Sequence, residues 1–510
     1  MRDDGTTRDR RPRPALGARL ARWAIYGAGL AAVVFVTVLI GRGIQARTYP
    51  ELELRHRVAL REEVTAADLG PAVSLDEYLR REQRLFEELD ARVERAVPAD
   101  RRTAANRYFL DSRASPRRFP VDGNRTFELA PATPAGGVLL VHGLTDGPYS
   151  MRRLARTFES RGYYTLGLRM PGHGTVPSGL VTAEWEDWAA AVRLGVRHVR
   201  AKIGASKPLL LVGYSNGGAL VVHYTLAALE DDSLPRPDGL LLLSPMLGVT
   251  PFARLSWMMS LLAPIPYFEK SAWLDVLPEY NPFKYNSFPV NAGKQTYELT
   301  TAVAAQFARL EPTGKLAGFP EVLAFQSLVD ATVSTPAVVD GLFAHVKRPT
   351  SELVLFDINR VAGLTPFLRP SDATIVASLF AGRQRTYRVS LLTNAEADTL
   401  EVVEQSLAAG ETAITRQPTG AAWPQDVFSL SHVAIPFPPD DPLYGRENES
   451  GTAAPHIRIG RFSTRGERAV LLVPMDVLMR LSYNPFFAYM ERRIGEWIDR
   501  KGRTTMPSAP

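Results

Sequence analysis

"LLLVGYSNGGAL", residues 209–220, is the stretch on which the fold turns. Four apolar residues run into Gly213, Ser215 stands between Gly213 and Gly217, and "NGGALVVHYTLAAL" continues with helix-compatible residues. This order predicts a buried strand that turns sharply into a helix. G-x-S-x-G at such a junction exposes a serine Oγ at the strand end, and the glycines let neighbouring backbone come close. Ser215 is therefore the candidate nucleophile. The competing reading is a plain turn containing a small residue; the strand before it and the helix after it weigh for the nucleophile.

Working outward, short apolar runs alternate with amphipathic stretches. "GVLLVHG" (137–143), "YYTLGLRM" (163–170), "PLLLVGYS" (208–215), "GLLLLSPM" (239–246), "PEVLAFQSLVD" (320–330) and "ELVLFDIN" (352–359) predict strands. Met151, Leu154, Ala155 and Phe158 mark one intervening helix face, and Trp185, Trp188, Val192, Val196, Val199 and Ile203 another. Continuous apolar strands separated by helices imply an α/β fold with a mostly parallel sheet covered on both faces. Its chemistry is expected at the carboxyl ends of the strands. Two stretches interrupt the alternation. Residues 247–319 are rich in aromatic, Met, Pro and Leu residues, and residues 361–425 separate the last clear strand from "VFSLSHVAIPF".

The chain has 510 residues, 45% hydrophobic and 22% charged, enough for one large catalytic domain with additions. The net charge of +6 is spread along the chain and forms no basic stripe, which argues against a nucleic-acid partner. With no cysteine, disulfides, thiol catalysis and thiolate metal sites are excluded. After an arginine-rich start, residues 23–40 carry no charge, and eighteen helical residues reach about 27 Å, close to the thickness of a bilayer core. A cleaved signal peptide is the rival reading, but "GRGIQARTYP" offers a poor cleavage site. The arginine bias places residue 1 in the cytoplasm and the bulk of the chain outside it.

The expected organisation is a basic cytoplasmic segment (1–22), a single transmembrane anchor (23–43), a helical juxtamembrane region (44–119), a catalytic domain (120–500) with a cap at 247–319 and an insertion at 361–425, and a flexible tail (501–510). In the juxtamembrane region Ser74 and Glu77 form a capping-box pattern, and Leu75, Tyr78, Leu79, Leu85, Phe86, Leu89 and Val93 give one apolar face. That face is expected to dock on the main domain or to build a stalk. Phe252, Leu255, Trp257, Met258, Met259, Leu261, Leu262, Ile265, Tyr267 and Phe268 are expected either to line an acyl pocket or to form the cap's own core.

A nucleophilic serine needs an oxyanion hole. The backbone N–H after the serine belongs to Asn216, and the loop after the first core strand, "VHGLTDGP", offers that of Leu144 across a turn that Gly143 permits. His142 is expected to hold this loop by a hydrogen bond. "LLVHGLTDGPYSMRRLARTFESRGYYTLGLRMPGHGTVPSGL" followed by "GYSNGG" resembles the α/β-hydrolase superfamily, in its monoacylglycerol lipase, carboxylesterase and lysophospholipase branch, often grouped with serine aminopeptidase-like hydrolases. The resemblance covers residues of about 120–360 and 427–445. It implies an α/β-hydrolase fold with a helical cap and the order nucleophile, acid, histidine. Asp330, after "VLAFQSLVD", matches the acid, with Asp357 as its rival. His432, in "SLSHVAIPF", matches the histidine; His345 and His456 are the other histidines after the acid. His432 follows Asp330 by 102 residues, and the 361–425 insertion accounts for that distance. His173, in "MPGHG", is expected to shape the site, since no acidic or histidine partner stands at metal-ligand spacing.

The implied activity is that of a serine hydrolase cleaving carboxylic esters, with lipid or lysophospholipid esters favoured by the membrane helix, and with no metal or other cofactor. An acyltransferase or aminopeptidase on the same triad, or a non-catalytic membrane-tethered binding protein, are the alternatives.

Overall fold

The computed structural model describes residues 16–248, 263, 265–363, 376, 379–380, 385–446, 473 and 475–504. Phe252, Leu255, Trp257, Met258, Met259, Leu261, Leu262 and His456 lie outside the described residues, as do residues 1–15 and 505–510.

The six apolar runs form β2 (Gly136–Val141), β3 (Tyr163–Leu168), β4 (Leu209–Tyr214), β5 (Gly239–Leu243), β8 (Glu321–Ser327) and β9 (Glu352–Phe356). Alternate side chains of each strand enter opposite cores, which is why these runs are apolar throughout and not alternating. Val138 and Leu140 pack with Leu154, Phe158, Met490 and Trp497. These belong to α3 (Arg152–Glu159) and α7 (Phe487–Thr504). Leu139 and Val141 pack on the other face with Trp188, Val196, Leu220 and Val303. These belong to α4 (Trp185–Ile203), α5 (Asn216–Glu230) and α6 (Val290–Leu310).

The sheet has ten strands in the order β1-β3-β2-β4-β5-β8-β9-β10-β11-β12. From β3 to β10 every neighbouring pair is parallel. β1 (Phe127–Leu129) closes one edge antiparallel to β3. β10 (Arg388–Asn394), β11 (Glu401–Leu407) and β12 (Ile414–Ala422) extend the other, the last two antiparallel. A small separate pair, β6 (Trp273–Asp275) and β7 (Phe288–Pro289), lies in the cap region.

The segment expected as an insertion therefore widens the sheet itself: β10 adds in parallel beside β9, and β11 and β12 turn back as a meander. After β12 the chain returns across the end of β9. Asn359 N donates to Phe428 O at 2.8 Å, Asn359 Nδ2 to Val427 O at 3.0 Å, and Ile358 pairs with Ser429.

The region expected to be helical between residues 44 and 119 is helical only in part, with short 3-10 and π turns and irregular chain between its α-helices. Besides the end of the first helix, the α-helical parts are Leu54–Arg57 and α2 (Leu75–Leu89), because Pro50, Gly70, Pro71, Pro98 and Pro116 interrupt the rest. Ser74 Oγ caps α2 by accepting from Glu77 N at 3.2 Å. Leu75 and Tyr78 enter the same core as Leu166, Leu168 and Val192, so this segment docks on the sheet layer and is not a stalk. Phe86, Leu89 and Val93 continue the contact against Val58, Tyr108 and Val176.

α1 (Leu16–Arg47) contains an apolar span, Ala21–Gln45, of mean hydropathy 2.2 with none of its window buried. Its end touches the cap: the Arg47 guanidinium lies 4.5 Å from the Tyr267 ring centre, and Lys270 Nζ donates to Tyr49 O at 2.7 Å. Ile265 and Tyr267 are exposed beside it. Of the cap's expected apolar residues, Tyr267 and Phe268 face α1, and none of Ile265, Tyr267 and Phe268 lines the cavity at the strand ends. At the other terminus α7 runs through Thr504, so Lys501–Thr504 are helical and not part of a flexible tail; Lys501 Nζ pairs with Glu321 at 2.7 Å.

Because Leu75 is buried in the core beneath the sheet, Leu75→Ala is expected to cost about 2–5 kcal/mol. Calorimetry of the full chain should show this loss in the main transition, since the segment between α1 and β1 shares one core with the sheet.

Candidate active site

Ser215 joins β4 to α5 with φ +54° and ψ −119°, a backbone conformation that an L-residue keeps only when its surroundings impose it. Ser215 N donates to Leu243 O, and Ser215 O accepts from Gly218 N and Met246 N, all at 2.9 Å. A Cβ on Gly217 would lie 2.2 Å from Val141 O, and one on Gly213 2.5 Å from Gly217 O. The two glycines of the motif are therefore packing requirements of the turn, which stores strain on the order of 1–3 kcal/mol.

Ser215 borders a cavity of about 460 Å3 at the carboxyl ends of the strands, and His432 borders the same cavity. Among the described residues the Ser215 hydroxyl has no hydrogen-bond partner, a looseness common in substrate-free sites. His432 stands in a short turn, His432–Ala434, reached by the return of the chain after β12. Its Nδ1 is 2.7 Å from Asp330 Oδ2, in the loop after β8. Asp330 Oδ1 also accepts from Thr332 N at 2.8 Å and Val333 N at 2.9 Å. Burial opposes the charged carboxylate, but His432 and these amides outweigh it and hold the carboxyl below its ordinary range. With a carboxylate accepting at Nδ1, the proton of neutral His432 resides there and Nε2 is left as a base.

The loop after β2 packs directly on the serine: a Cβ on Gly143 would lie 3.1 Å from Ser215 Cβ. Among the described residues neither Leu144 N–H nor Asn216 N–H has an acceptor, and both residues adjoin Ser215. His142 explains the direction of the first. Its Nε2 must accept, because Met170 N–H donates to it at 3.0 Å, so Nδ1 carries the hydrogen and donates to Gly143 O at 2.9 Å. Burial lowers His142 to about 4, which keeps this neutral form at physiological pH. His173 is also buried and neutral: burial, then neighbouring His142, push it well below its usual value. Its Nδ1 donates to Pro171 O at 2.9 Å, and its ring packs on His142 with centres 5.0 Å apart.

The rival residues stand elsewhere. Asp357 is taken up by Arg360, at 2.6 and 2.8 Å, and by Thr393 Oγ1 at 2.7 Å. His345 stacks on Phe307, with ring centres 4.6 Å apart.

Residues 132–355 match the family model described as serine aminopeptidase, S33. A thermostable monoacylglycerol lipase of Bacillus sp. (strain H-257) is 36% identical over 87 residues, 17% of this chain and 34% of that protein. A carboxylesterase of Bacillus subtilis (strain 168) is 34% identical over 101 residues, 19% of this chain and 40% of that protein. Over this stretch the chain is similar to the monoacylglycerol lipase and esterase branch of the α/β-hydrolase superfamily. These matches span between a third and two fifths of the length of the two curated relatives. Among solved structures, a monoacylglycerol lipase of Paleococcus ferrophilus is 16% identical and overlays 46% of this chain on 88% of its own with a TM-score of 0.33.

The cavity also holds residues that sequence reasoning did not single out. Leu277, Phe288, Val433 and Phe437 give it apolar walls, while Asp146, Lys284 and Arg480 give it a charged side. Burial raises the Asp146 carboxyl to about 6 against the opposing pull of Lys284 and His432. Asp146 was visible in "LTDGP", two residues beyond Leu144, where it follows the oxyanion-hole loop. Lys284 and Arg480 carried no such signal, because they come from the cap and from a segment just before α7.

Two outcomes are expected. Gly217→Ala forces a contact that the backbone must move to relieve, costing about 1–3 kcal/mol in unfolding experiments and displacing Ser215. Because Asp330 titrates below its unfolded value of about 4, its ionised form contributes stability above that pH. The unfolding free-energy difference between wild type and Asp330→Asn, measured by urea denaturation, should be largest near neutral pH and shrink as the pH falls below about 4.

Proposed function

We propose that this chain is a serine hydrolase that cleaves carboxylic esters, with Ser215 as nucleophile, His432 as general base and Asp330 as the group that orients and stabilises the imidazole. The observation that carries this reading is the joint placement of the strained Ser215 and the Asp330-bound His432 on one cavity beside two unoccupied amide donors. His432 Nε2 removes the Ser215 proton as Oγ attacks the ester carbonyl. The oxyanion that forms takes hydrogen bonds from Leu144 and Asn216 N–H. The protonated His432 then gives its proton to the departing alcohol, leaving an acyl-enzyme. Water, deprotonated by the same nitrogen, adds to the acyl carbon, and collapse returns the proton to Ser215 and releases the carboxylic acid.

The substrate class we infer is a lipid-type ester. Leu277, Phe288 and Phe437 suit an acyl chain, and the volume of about 460 Å3 is of the size that holds such a ligand. The monoacylglycerol lipase and carboxylesterase relatives point the same way. Our reading of α1 is an uncleaved anchor with residue 1 in the cytoplasm and the hydrolase outside it.

The test is hydrolysis of monoacylglycerols and short p-nitrophenyl esters, with fluorophosphonate labelling. Ser215→Ala and His432→Ala are each expected to lose at least about 10³ in kcat/KM, in line with removal of a triad member. Labelling of Ser215→Ala equal to wild type would overturn the assignment, and acyl transfer to added alcohols in preference to water would make the enzyme an acyltransferase. A reporter at the carboxyl terminus that works only in the cytoplasm would reverse the topology.

A further inference from the structure

Tyr78, on α2 of the juxtamembrane segment, is 1% exposed and donates its hydroxyl hydrogen to Arg169 O at 2.6 Å. That carbonyl and Met170 N–H are the two ends of one peptide unit. In a planar trans peptide they point in opposite directions, so a donor on the carbonyl fixes where the N–H aims. Met170 N–H aims at His142 Nε2, 3.0 Å away. His142 Nδ1–H passes the same polarity on to Gly143 O at 2.9 Å. Gly143 O and Leu144 N–H are again the two ends of one peptide unit, so the Leu144 N–H points away from His142, on the loop that packs on Ser215. Every hydrogen in this series points the same way.

The surroundings hold the series in place. Arg169, 1% exposed, is bound through its guanidinium to Glu63 at 2.9 Å and Glu82 at 3.2 Å, both from the juxtamembrane segment. Its backbone N–H donates to Thr126 Oγ1 at 3.0 Å, and Nη1 donates to His173 O at 3.0 Å. The Arg169–Met170 peptide therefore has no freedom to rotate, and neither has the imidazole that reads it.

We propose that Tyr78 is a positioning residue for the oxyanion hole, acting through the aligned series Tyr78 hydroxyl, Arg169–Met170 peptide, His142 and Gly143–Leu144 peptide. The inference rests on the function proposed above and extends the catalytic unit into the segment between the apolar helix and the sheet. Aligned hydrogen bonds polarise one another, so the first donor strengthens the last. Leu144 N–H is then a better donor to a developing oxyanion than an isolated amide, and it is fixed before substrate arrives.

The test is Tyr78→Phe in the full-length chain, which removes one hydroxyl and keeps the ring. The matched control is Tyr108→Phe: Tyr108 lies on the same segment, is 2% exposed, and donates to a backbone carbonyl, Thr175 O, at 3.0 Å, outside the series. The readouts are kcat, KM, thermal midpoint, and the inhibition constant of a trifluoromethyl ketone whose hydrated or serine-bound oxygen occupies the hole. For Tyr78→Phe, kcat is expected to fall about 3- to 10-fold with KM within about twofold, and the inhibitor to weaken by the same factor as kcat/KM falls. For Tyr108→Phe a similar or smaller drop in thermal midpoint should leave kcat at the wild-type level. Equal kcat in Tyr78→Phe and wild type, or equal losses in both variants, would overturn the proposal and make the Tyr78 bond structural only. If Tyr78→Phe does not fold, Glu82→Gln is read in the same way, and an unchanged kcat there also overturns it. Wild type inactive on esters and unlabelled by fluorophosphonate would instead remove the function on which the inference rests.

Discussion

The close approach between the first turn of α5 and the end of β2 is the constraint on which the rest of the site depends. Gly217 sits where any side chain would strike Val141 O, and Gly143 sits against Ser215 Cβ. With these contacts closed, Ser215 is held in its positive-φ conformation, and the Leu144 and Asn216 amides lie beside it. The Ser215 turn and the loop at Gly143 are thus one packed object. A sheet covered on both faces supplies the rigidity this needs, because its core offers no room for the turn to relax.

The acid and histidine reach that object by a longer route. Asp330 follows β8, two strands from β4 in the sheet, and accepts two backbone amides that fix its carboxylate. His432 arrives only after the chain has added three strands to the sheet edge and crossed back over β9. Sequence distance and spatial distance separate here for a simple reason: strands added at an edge consume residues without moving the point to which the chain returns.

The segment between α1 and β1 is part of the same construction. Tyr78, Glu63 and Glu82 hold the backbone that orients His142, while the end of α1 rests on Tyr267 and Lys270 in the cap. The same segment therefore touches the cap at one end and the backbone beside His142 at the other. Several arginines in it are paired locally, as in Arg117 with Asp90 and Glu94.

Local pattern by itself determined the central strands, the helix after Ser215, the cap of α2 at Ser74 and the sharp strand-to-helix turn that carries Ser215. Each of these rests on residues close in sequence, where periodicity and glycine placement act directly. Sequence also offered His142 as the holder of its loop, since the HGL turn is local. Only the tertiary structure shows that Asp357 is claimed by an arginine three residues away while Asp330 binds a histidine 102 residues on. It alone disclosed that 361–425 builds β10 to β12: β11 and β12 are partly exposed toward the sheet edge with mixed polar sequence, and buried β10 is short and broken by Ser390 and Thr393, so no long apolar run announces them. It alone brought Lys284 and Arg480 to the cavity and Tyr78 to the Arg169 carbonyl. A helical face in the sequence says that a side chain is buried, and the fold says which peptide its hydroxyl meets.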